Sequence, residues 1–66
     1  MLTIHLPECW SRRLVQMPES GMGYQRVDLI FKDRRIENVI VLNAEDCQTD
    51  ESFDPAELVD IQMHRE

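Results

Sequence analysis

Four side chains in this sequence could together hold a metal: His5, Cys9, Cys47 and His64 offer two imidazoles and two thiols, a donor set that suits tetrahedral zinc. Their spacing argues against it. Zinc fingers and ribbons usually pair their cysteines roughly two to four residues apart, whereas Cys9 and Cys47 each stand alone, so buried or half-buried thiols and surface histidines are the simpler expectation. The alternative, a metal- or thiol-dependent activity, would have to be built on these four residues. Asp46, Asp50, Glu51 and Asp54 supply the hard oxygen ligands calcium prefers, without the glycine-turned loop of an EF-hand. Neither set defines a metal site, and no cofactor motif occurs.

Two basic pairs, Arg12-Arg13 and Arg34-Arg35, are the other chemical feature. If they converge, they can bind a phosphate, a carboxylate or the acidic half of another copy; otherwise they are exposed charges beside strands. Nucleophilic catalysis needs a serine or cysteine, a positioned histidine and a group to orient it. Those residue types are present without a motif, so no enzyme is expected. Gly21-Met22-Gly23 is a lone Gly-x-Gly without the third glycine or following helix of a phosphate-binding turn. Its glycines read as loop positions that tolerate positive φ.

The elements that must carry these residues centre on Gly21 to Glu45, which reads as a β-hairpin. Val27, Leu29 and Phe31 fall on one face of the first run, and the second run, Val39-Ile40-Val41-Leu42, is apolar on both sides. Between them Lys32-Asp33-Arg34-Arg35 lacks the glycine a tight hairpin usually supplies, which favours a longer loop over a left-handed Arg34. Ile30, Ile40 and Leu42 then form a second apolar surface, a candidate interface to be covered by sheet curling, a helix or a partner.

Upstream, Leu2, Ile4 and Leu6 alternate with polar residues up to Pro7, as a short strand does. Glu8 to Gln16 fits either one helical turn or a second strand, with Trp10 as a core or half-core anchor. Met17 to Gly23 is a loop. Downstream, Asn43 to Asp60 reads mostly as acidic loop. Within it Asp54 is an N-cap, Pro55 opens a helical turn and Glu57 sits three residues after the cap. Phe53 and Leu58 should pin that turn to the core, before a last strand in which Val59, Ile61 and Met63 share a face.

The expected fold is therefore mainly β, one domain over residues 1–66: a small barrel or curled antiparallel sheet of about five strands with one short helical turn near Pro55. This order of strand, charged turn, strand, loop, single turn and last strand, roughly Val27 to Met63, resembles the small barrels of the SH3-like and Sm-like kind, and also short bacterial proteins of this shape. Sm-like proteins carry a leucine-x-x-glycine turn and a later arginine-glycine pair that helps bind RNA. Here Leu29 to Lys32 keeps the strand, but the turn glycine and the arginine-glycine pair are missing, so RNA binding is not implied.

Composition narrows the function classes. The chain has 66 residues and a formal charge of −6, and a domain this small buries only roughly 60% of its unfolded surface, which makes a partner or self-association plausible. Charge is unevenly placed, +2 over residues 1–35 and −8 over residues 36–66. That split allows head-to-tail attraction between copies, while the net charge disfavours nucleic acid and anionic membranes. No window of about 18 apolar residues exists, and Met1 to Pro7 lacks the features of a secretion signal. The expectation is a cytoplasmic, non-enzymatic binding or interaction module that pairs with a protein or with itself. Weak nucleic-acid or anion binding through the arginine pairs is the remaining alternative.

Overall fold

The computed structural model describes residues 1–65. Five strands, β1 (Leu2–His5), β2 (Tyr24–Phe31), β3 (Arg35–Leu42), β4 (Asp46–Thr49) and β5 (Leu58–Met63), form one antiparallel sheet in the order β1-β4-β3-β2-β5. Of the two expected forms, barrel and sheet, the protein adopts the sheet: β1 and β5 are its two free edges. A helix, α1 (Glu8–Val15), and a 3-10 turn at Pro55–Glu57 complete the fold. No helix among the described residues is long and apolar enough to cross a membrane.

One face of the sheet holds the core. Val27, Leu29 and Phe31 of β2, Val39 and Val41 of β3, Cys47 of β4 and Ile61 of β5 are all buried there, under Leu6, Leu14 and Phe53. The segment left open between helix and strand is a helix of two turns. Leu14 is fully buried and Trp10, one turn earlier, packs partly against the core, so the helix covers the sheet with a single apolar stripe. Its C-terminal end is tied down by Gln25, whose Nε2 donates to the Leu14 carbonyl at 2.9 Å and to Met17 and Pro18 carbonyls at 3.3 Å. A buried strand amide thus pins the helix end and the loop after it to the sheet, with its own donors satisfied.

The β2–β3 loop spans Lys32 to Arg34 and closes with Phe31 N–H donating to the Arg34 carbonyl at 2.8 Å. Arg34 is not among the positive-φ residues, so the longer loop holds. The turn near Pro55 is as expected, with Asp54 Oδ1 accepting from Ala56 N–H at 2.9 Å. Phe53 and Leu58 are buried beside it, and the Phe53 ring stands edge-on to Phe31 at 5.5 Å.

Two expectations are corrected. The acidic stretch after Asn43 is not mostly loop, because Asp46–Thr49 is strand β4, paired to both β1 and β3. It is reached through Asn43 (φ 53°) and Ala44 (φ 57°), with Glu45 N–H donating to the Leu42 carbonyl at 3.0 Å. Two consecutive positive-φ residues make a type I′ turn, whose twist suits a hairpin. The last strand also does not alternate evenly: the β2–β5 register slips between Ile30/Asp60 and Phe31/Leu58, which leaves Val59 as a bulge, 59% exposed. Leu58 takes the inward place expected of Val59.

Candidate functional site

A carboxylate and an imidazole, 36 positions apart in the chain, meet at the β2–β5 side of the sheet. Asp28 lies between core residues Val27 and Leu29, so strand alternation turns it to the face opposite the core. There β3 carries one extra residue, because Val27 pairs with Val39 but Leu29 pairs with Ile36. Asn38 takes φ 57° in that bulge and its N–H donates to Asp28 Oδ1 at 3.0 Å. Bulges re-aim backbone groups in this way.

His64 follows β5 directly, and its backbone N–H donates to the Arg26 carbonyl at 3.0 Å, extending the ladder by one bond. This fixes the ring beside Asp28, with Nδ1 2.8 Å from Oδ1. The two side chains are only 19% and 10% exposed. Arg35 completes the group, its Nη2 3.7 Å from Asp28 Oδ2 and its Nε 3.9 Å from Glu37. Burial alone would push the Asp28 pKa up, but the Asn38 amide, His64 and Arg35 together outweigh it and hold the carboxyl below its ordinary range. An ionised carboxylate only accepts, so the proton between the two rests on His64 Nδ1. The other ring nitrogen, Nε2, takes no part in that bond.

Two hollows adjoin this pair. A groove of about 810 Å³ is bounded by Arg13, Met17, Asp28, Arg35, Glu37, Ile61, Gln62, Met63, His64 and Arg65. A smaller hollow of about 290 Å³ is bounded by Ser20, Tyr24, Arg26 and His64.

The arginine pairs are split by the fold. Arg13 and Arg35, one from each pair, border the larger groove together with Arg65, and Arg13 is held by Asp60 and lies over the Trp10 ring at 5.7 Å. Arg12 pairs with Glu8 one helical turn away at 2.8 Å. Arg34 lies over the Phe31 ring at 5.0 Å and donates to the Ser52 carbonyl at 3.4 Å. Each of the four thus has a nearby acidic residue as its partner.

The zinc set does not gather. Among the described residues no three His, Cys, Asp or Glu side chains cluster as ligands, which covers the calcium set as well. His5 is on the exposed end of β1 with Nδ1 3.0 Å from Asp46 Oδ1. That hydrogen bond, helped by the charges of Asp46 and Glu45 and opposed by slight desolvation, raises its pKa. Cys9 is exposed on α1, and Cys47 is fully buried in the core. Burial pushes the Cys47 thiol up to about 12, so it stays protonated and is neither a nucleophile nor a ready ligand.

Of the candidate interface, Ile40 and Leu42 are successive outward residues of β3, flanked by Arg26 and Gln48 and by Tyr24 and Asp46 across the ladders. Ile30 faces the same way but sits beyond Asp28, so it is apart from the other two. All three are half-buried. The sequence reading missed Asp28 as the centre of the site, although a charged residue between two core residues is a signal for one. No protein-family model, curated protein or solved structure matches the chain.

Proposed function

We propose that this protein is a small non-enzymatic interaction module that self-associates through the sheet face opposite α1. The observation that carries this reading is the one-sided cover: helix and core lie on one face, while Ile40, Leu42 and the Tyr24 ring remain half-buried on the other. That patch has an apolar centre with Arg26, Gln48 and Asp46 around it, the arrangement of an interface core within a polar rim. A second copy is the occupant that fits, since the rim carries both signs of charge and the chain divides into a slightly basic and a strongly acidic half.

The test is native mass spectrometry with size-exclusion chromatography of wild type and Ile40→Glu. Wild type is expected as a dimer or higher oligomer, and Ile40→Glu as a folded monomer. A wild-type monomer at concentrations up to about 100 μM, far weaker than a stable interface gives, overturns the reading.

A further inference from the structure

We infer that the hollow between the β2–β3 loop and the 3-10 turn binds a small molecule with an apolar body and one ammonium group. Its volume is about 640 Å³, within the range of roughly 300–1,000 Å³ that small-molecule sites occupy. Phe31 and Leu58, partners across the β2–β5 ladder, are its two buried lining residues, and Ala56 and the bulged Val59 add apolar surface. Lys32, Asp33 and Glu57 complete the lining. None of these residues belongs to the patch around Ile40 and Leu42, so the hollow is separate from the face proposed for self-association.

Apolar surface and charge each select part of the occupant. The register slip turns Val59 out of the core and leaves it 59% exposed, a branched side chain in water beside Phe31 and Leu58. An alkyl or aryl group placed there removes that surface from water, which is worth about fourfold in affinity for each CH2 fully buried. Charge then selects the head group. Asp33 and Glu57 are exposed, and among the described residues neither carboxylate holds a hydrogen bond or ion pair. Against these two stands the single ammonium of Lys32, which is likewise exposed and unpaired among the described residues. Arg34 lies over the Phe31 ring at 5.0 Å, but its charge is engaged by Glu51 at 3.9 Å and by the Ser52 carbonyl at 3.4 Å. A cation at the mouth therefore finds two open partners, where an anion meets two like charges. The net charge of −6 adds the same preference at longer range.

Amide chemical shifts of the full chain, followed by NMR during titration at neutral pH and fixed ionic strength, test this. Hexylamine is the probe, with hexanoate as the control of opposite charge and methylamine as the control without a tail. Saturable shifts confined to Phe31–Asp33 and Ala56–Val59 are expected with hexylamine, and weaker shifts or none with either control. Butylamine, shorter by two CH2 groups, should bind about tenfold more weakly. Asp33→Asn and Glu57→Gln should each weaken hexylamine about threefold, the worth of an exposed ion pair, whereas Glu8→Gln, on α1 and outside the hollow, should not. No saturation by about 20 mM, hexanoate equal to hexylamine, or wild-type affinity in both carboxylate variants overturns the proposal. Shifts of the same amides on dilution of the ligand-free protein would assign the hollow to a second copy and overturn it as well.

Discussion

Asp28 has three neighbours that need its charge: the Asn38 amide, the His64 ring and the Arg35 guanidinium. Removing one acceptor therefore strands several donors, and a buried donor without a partner costs more than the bond it made. Asp28→Ala is expected to lower stability by about 2–3 kcal/mol, read as a fall in the urea midpoint with little change in slope. The sign of the pH effect follows from the lowered pKa. Above the unfolded carboxylate value of about 3.9 the pair stabilises the fold in full, and that contribution disappears as pH falls through the lower folded value. Asp28→Asn keeps an acceptor for Asn38 but cannot titrate, so its acid unfolding curve should be flatter than that of wild type below about pH 4. A curve of unchanged slope would show that Asp28 is not the group being protonated.

At the scale of elements, local pattern and backbone conformation disagree at one turn. Ala44 occupies φ 57° in the β3–β4 connection, where a side chain costs roughly 1–2 kcal/mol. Glycine removes that strain but loses about 0.5–1 kcal/mol of chain entropy, so Ala44→Gly is expected to raise stability by about 0.5–1 kcal/mol, measured by urea or thermal unfolding. This turn also explains what could and could not be read in advance. The strands near Leu2, Tyr24 and Ile61 announce themselves by period-2 alternation, and the Asp54-Pro55 turn by its cap. β4 does not, because Asp46-Cys47-Gln48-Thr49 has a single strongly apolar residue among acidic neighbours, and its turn contains no glycine. The Val59 bulge and the meeting of Asp28 with His64 depend on β2–β5 register, which no local window contains. Ile40 and Leu42 were legible as outward-facing residues because alternation alone places them there; that Asp28 separates them from Ile30 was not.

At the scale of the whole molecule, the two cysteines report different things. Cys9 is exposed on α1, while Cys47 sits in the core between β1 and β3 with its thiol held protonated. Alkylation of native protein should therefore modify Cys9 at once and Cys47 only through opening of the sheet. Mass spectrometry should show one label early and a second whose rate rises with urea; two equally fast labels would mean that β1 detaches readily. The sheet is open, with β1 and β5 at its borders, and an open border presents unpaired amides to any other chain. The outward bulge at Val59 breaks the even row of amides along β5, and β1 is only four residues long. Both borders are thus poor templates for a further strand, so the irregularity of β5 also guards this small acidic chain against stacking edge to edge into fibrils.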